Sequence, residues 1–115
     1  MDIERYGSNS RLSKVVKANG FAFLSGLTAR DTAVGVEEQT ADILQQIDEL
    51  LAMAGSDKAR IVNVNIWMRD IAQRDRMNAV WEAWVDPQAK PARATVQSAL
   101  AREDALLEIM VQALA

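Results

Sequence analysis

Residues 60–68, RIVNVNIWM, alternate without a break: Val62, Val64, Ile66 and Met68 take one side of an extended chain, Asn63, Asn65 and Trp67 the other. Side chains on a strand leave opposite faces with a period of two, so this strand has one dry face and one of a different kind. The segments on either side are helical. Over residues 36–54, Ile43, Leu44, Ile47, Leu50, Leu51 and Ala54 recur at helical spacing, and Gly55 is placed to end the helix. Beyond the strand, Asp70 is placed to cap a second helix, with Gln73 three residues on as a capping-box partner. Met77, Val80, Trp81, Trp84 and Val85 form its apolar stripe and Asp86-Pro87 stops it. Trp81 and Trp84 are read as core packing.

The flanks supply further strands. Asn19-Gly20, between residues 11–18 and 21–29, is a two-residue hairpin signal. The second arm, FAFLSGLTA, is apolar on both faces, which predicts a strand covered on two sides. Its Ser25-Gly26 pair marks a bulge or a close backbone approach. Strands near 91–98 and 105–113 finish the chain. The order is β-β-α-β-α-β-β, in one domain spanning residues 1–115. Strand–helix–strand passages between parallel strands cross right-handed, and two that progress the same way put both helices on one face. The expectation is an α+β fold, a mixed sheet with two helices on one side and a bare face on the other.

On that bare face alternation is expected to set Asn63, Asn65, Trp67, Arg93, Thr95, Gln97, Glu108, Met110 and Gln112. Val62, Val64, Ile66, Ala94, Val96, Leu107, Ile109 and Val111 are expected under the helices. Large apolar groups rimmed by polar ones are typical of an interface or ligand site, so a symmetric homo-oligomer is expected to cover this face. If the last two strands form an antiparallel hairpin about residues 99–102, Arg93 and Glu108 fall almost opposite each other, with Cβ atoms about 5 Å apart. Two readings follow. They form a cross-strand ion pair, or Arg93 anchors a carboxylate through its planar fork while Glu108 orients or activates a water.

What the chain lacks narrows the chemistry. It contains no histidine and no cysteine, which excludes a thiolate nucleophile, an imidazole base and a zinc site of nitrogen and sulfur ligands. Thirteen basic and sixteen acidic residues give a net charge of −3 with no block of like charge, so neither nucleic acid nor an anionic membrane is an expected partner. No signal-peptide pattern and no apolar run of about 18 residues is present, and the lack of cysteine fits a cytoplasmic protein.

The same residues carry a resemblance. PARATV, followed fifteen residues after its arginine by the glutamate of LLEIMVQALA, resembles the C-terminal signature of the RidA (YjgF/YER057c/UK114) family. Upstream, the strand ending LSG, the helix EEQTADILQQIDELLAMAGSDKARIV and the run VNIWMRDIAQRDRMNAVWEAWV agree in order. The opening IERYGSNSRLSKVV and the segment MNAVWEAWVDP resemble the YoaB-like branch more than the archetypal deaminases. The resemblance implies a chorismate-mutase-like fold assembled as a homotrimer with clefts between subunits, acting without metal or organic cofactor. It implies hydrolysis of 2-enamine or 2-imine acids to 2-oxo acids and ammonia, or else capture of a small carboxylate without turnover. By position it implies that Arg93 grips the substrate carboxylate and Glu108 handles the attacking water. Thr95 then supplies a small polar cleft side chain, Gly26 lines the cleft with backbone, and Asn78 stands at its edge. Two positions depart from the archetype: Leu12 stands near the place of a tyrosine, and Leu27 replaces a glutamine after Ser-Gly.

Overall fold

The computed structural model describes residues 2–115. Three short strands open it, β1 (Ile3–Tyr6), β2 (Val15–Ala18) and β3 (Phe21–Leu24), followed by helix α1 (Val36–Met53) and strand β4 (Ile61–Met68). Helix α2 (Arg74–Trp84) then leads to β5 (Ala92–Gln97) and β6 (Leu107–Leu114). The six strands form one mixed sheet in the order β1-β2-β3-β6-β4-β5, antiparallel except for the β4–β5 pair. The two helices pack on each other and cover one face.

Local chemistry explains the elements. Asn19 and Gly20 both have positive φ, the condition for a two-residue turn whose twist matches its strands, and they join β2 to β3. Gly55, at φ 77°, follows α1 where a left-handed residue ends a helix cheaply. Asp70 caps a short 3-10 turn at 71–73 through Ala72 N–H, and α2 begins only at Arg74. The core forms where Leu107, Ile109, Val111 and Ala113 of β6 and Val64, Ile66 and Met68 of β4 meet the helices. Ile43, Leu44, Ile47 and Leu51 of α1 and Met77 of α2 close it. Each such large apolar side chain contributes roughly 1.5–3 kcal/mol on burial.

The structure corrects the sequence reading in four places. The N-terminal strand β1 adds a sixth strand. The hairpin joining the last two strands does not form, because β4 lies between β5 and β6. The α2 crossover lays β5 parallel along the outer edge of β4, and the loop 98–106 returns the chain to the other edge. The register of β5 also inverts its expected faces: Arg93, Thr95 and Gln97 align with buried Val64, Ile66 and Met68, on the helix side, while Ala94 and Val96 align with Asn65 and Trp67. Gln97 accepts a hydrogen bond from Ile71 N–H ahead of α2, as that orientation requires. Finally, a bulge between Ile61 and Asn63 leaves Val62 40% exposed, and Ile61 takes the inward position.

The loops at one end of the sheet are tied by a buried side chain. Gln39 of α1 donates to Thr32 O and Val34 O and accepts from Leu106 N–H, so one amide joins the segment before α1 to the segment before β6. Replacing it with leucine leaves three backbone groups without that partner. Gln39→Leu is expected to lower unfolding free energy by roughly 2–4 kcal/mol, read as a shifted denaturant midpoint at fixed protein concentration.

Candidate active site

The residues singled out in the sequence fall into two groups on opposite sides of the sheet. The first sits at the β5 edge, on the helix side. Arg93 places its Cζ 5.3 Å from the centre of the Trp81 ring of α2. Partial burial pushes its pKa below the usual value, opposed by the charge of Glu82, and a guanidinium so placed stays protonated. Two residues on, the Oγ1 of Thr95 is buried and has no hydrogen-bond partner among the described residues. Buried polar atoms are nearly always satisfied, so this hydroxyl, on the same side of β5 as Arg93, is a polar group left without a partner among the described residues. Asn78 is half-buried on α2, one turn before Trp81. Because α2 runs back antiparallel to β5, Thr95 lies towards the Asn78 end of that pair.

The second group is on the bare face. Glu108 of β6 stands opposite Trp67 of β4. Its carboxylate lies directly over Gly26, so closely that a Cβ at that position would overlap it. Beyond Gly26 the chain rejoins the sheet through Leu27, which exchanges both backbone hydrogen bonds with Ile109. The Ser25-Gly26 interruption is thus a close approach that seats a carboxylate. Leu27 points into the core, and Leu12, exposed in the loop before β2, contributes to neither group.

The ion pairs among the described residues join Arg30 to Asp42 and Glu49, Arg76 to Glu37, and Arg102 to Asp104. Arg93 and Glu108 belong to none. Level with Val64 and Trp67 on β4, they are separated by two strand spacings and three residues, about 14 Å between Cα atoms. The cross-strand ion pair does not exist in this chain, and neither does a cleft within one chain that holds both side chains. Topology separates them, since β4 intervenes and the two strands turn these residues to opposite faces.

Comparison with known proteins agrees with the fold. The family model described as endoribonuclease L-PSP matches residues 3–115. The chain belongs to this family, the RidA (YjgF/YER057c/UK114) family. A crystal structure of NMB1025, a YjgF family member from Neisseria meningitidis, superposes with a TM-score of 0.94 at 45% identity, covering 99% of this chain and 95% of that one. The RutC family protein YoaB of Escherichia coli is 35% identical over 98% of both chains. Reactive Intermediate Deaminase A of Arabidopsis thaliana, a chloroplast protein, is 32% identical over 84% of this chain and 54% of its own. The fold is therefore the chorismate-mutase-like α+β fold of that family.

One partner in the site was hidden in the sequence. Trp81 sits on the inner stripe of α2 and packs in the core as expected, yet its ring also underlies Arg93. Only the register of β5 reveals this.

The seat of Glu108 gives a direct test. In Gly26→Ala the added methyl meets the flexible end of Glu108 rather than backbone, so the carboxylate moves while the fold is kept. A stability loss below about 1 kcal/mol is expected, with Glu108 displaced in a crystal structure of the variant.

Proposed function

We propose that the protein hydrolyses small 2-imino acids and their 2-enamine tautomers to 2-oxo acids and ammonia, without metal or organic cofactor. The site is formed between subunits of a homotrimer. One observation carries the reading: Arg93 and Glu108, an anion anchor and a base, are both without an ion-pair partner among the described residues and face away from each other. Each is half of a site. Arg93, with Thr95 and Asn78, sits at an open sheet edge, and Glu108, on Gly26, sits on a face rich in exposed apolar side chains. Covering that face with the edge of a neighbouring subunit brings one group of each kind together.

The chemistry needs little more. The guanidinium takes the carboxylate in two parallel hydrogen bonds and fixes the imine carbon beside a water. A protonated imine is already electrophilic, so positioning supplies much of the rate. Glu108 accepts a proton as the water oxygen bonds to C2. That proton goes to nitrogen; as the C–N bond breaks, the carbinolamine hydroxyl gives its remaining proton to Glu108 and forms the C=O, and the proton leaves with the ammonia as ammonium, alongside the 2-oxo acid. The Thr95 hydroxyl and the Asn78 amide offer hydrogen bonds to the bound acid. A second reading, capture of a small carboxylate without turnover, uses the same anchor but gives Glu108 no task.

Two variants separate these cases. Glu108→Gln is expected to abolish pyruvate release from 2-aminoacrylate generated by a dehydratase, while 2-oxobutanoate still binds. Arg93→Ala is expected to lose both. Mixing the two inactive variants in equal amounts, with subunit exchange, decides whether the site is shared. A site that draws Arg93 and Glu108 from different subunits is intact with probability one half times one half, so roughly a quarter of wild-type activity returns. No recovery from a verified mixed trimer rules out the shared site. Turnover that survives in Glu108→Gln rules out its catalytic role.

A further inference from the structure

The Arg93 guanidinium has no hydrogen-bond partner among the described residues, so something other than a hydrogen bond must fix its position in the chain. Among the described residues the ring beneath it is that of Trp81, which is 7% exposed and has its centre 5.3 Å from Cζ. Trp81 is itself braced from behind. The Trp84 ring packs against it at 5.4 Å with the planes tilted by 50°. Trp84 is held in turn: its Nε1–H donates to Asp48 at 2.9 Å, and the Lys58 ammonium lies 5.2 Å over its ring while donating to Trp84 O at 2.6 Å. A line of contacts thus runs from the outer surface of the helices through two indoles to the anion anchor.

We propose that Trp81 is a positioning residue for carboxylate capture. Its ring holds the Arg93 guanidinium against α2 and leaves the N–H edge free to take a carboxylate in two hydrogen bonds. This rests on the reading of Arg93 given above and adds the device that makes the arginine selective. An indole face attracts a cation and removes water from one side of it, and a guanidinium stacks there where an ammonium does not spread its charge in a plane. The five donors lie in the plane of the fork, and with one face shielded it is the edge of that plane that stays open. That geometry fits a planar carboxylate in the same plane and serves neutral amides poorly. The site therefore discriminates 2-oxo and 2-imino acids from their amides through Trp81 as well as through Arg93.

Calorimetric titration with 2-oxobutanoate, and with 2-oxobutanamide as the neutral control, tests this on the assembled protein. Trp81→Leu keeps apolar bulk but removes the π face. It is expected to weaken acid binding by roughly five- to thirtyfold, with turnover showing a raised KM and a kcat close to wild type. Trp81→Phe restores most of the affinity. A ligand-free readout accompanies the titration. The Arg93 Nε–H resonance is expected to be shifted by the ring current in the wild type and in Trp81→Phe, and to return to the ordinary arginine position in Trp81→Leu. If Arg93→Ala abolishes binding while Trp81→Leu binds as tightly as the wild type, the positioning role is overturned and the anchor stands. An unshifted Arg93 resonance in the wild type overturns it as well. If the wild type binds no 2-oxobutanoate, or binds it without Arg93, the functional reading fails and takes this inference with it.

Discussion

The antiparallel register between β4 and β6 is the constraint on which the rest of the molecule depends. It aligns Val64 with Val111, Ile66 with Ile109 and Met68 with Leu107, one apolar layer for both helices to cover. The same register fixes the other face. Asn65 stands with Met110 and Trp67 with Glu108, so the carboxylate is turned away from the helices. A slip by one residue would reverse every side chain and bury Glu108 under α1. The apolar layer therefore specifies the position of the polar group without touching it.

The face opposite the helices is unusual for a surface. Phe21, Phe23, Val96 and Leu114 are between 36% and 49% exposed, and Met110 and Trp67 lie between them on the inner strands. Apolar patches of this kind are typical of association surfaces. The sheet pairing adds a second consideration. β5 is an edge strand, and its outward turns carry Ala92, Ala94 and Val96 on that same face. Small side chains at an edge allow another sheet to come close, while Arg93 and Thr95 on the opposite side remain at the rim. The inverted orientation of β5 thus brings Arg93 to the margin of the patch.

Much of this was legible in the sequence, and the rest was missed for identifiable reasons. The alternation of Val64, Ile66 and Met68 and the helical spacing from Ile43 to Leu51 announce which side chains share a face, because both periods are properties of a single segment. The same is true of Asn19-Gly20, whose turn needs two positive φ values. The orientation of β5 was misread, since in ARATVQ the apolar set Ala92, Ala94 and Val96 alternates with the polar set Arg93, Thr95 and Gln97, and that pattern points the apolar set at the helices. Only the crossover that docks it on β4 chooses between them. For the same reason Arg93 and Glu108 were recognised individually from their apolar surroundings and from the family pattern, but were placed side by side in error. The strand that separates them precedes both in the chain. Trp81 was legible as core and not as the support of Arg93, which is a relation between a helix and an edge strand.

That error points to what the topology achieves. Had the last two strands formed a hairpin, Arg93 and Glu108 would have faced each other and closed into an ion pair. Such a pair would have to be broken before a carboxylate could take the guanidinium, and the displaced acid would lie beside the incoming anion of like charge. Placing β4 between them, and turning the two strands to opposite faces, prevents this within the chain. The guanidinium is left to an aromatic face, which attracts it without occupying its donors. The carboxylate is left over a glycine, which makes room for it without neutralising it. Both groups stay available because neither has been given its natural partner within the chain.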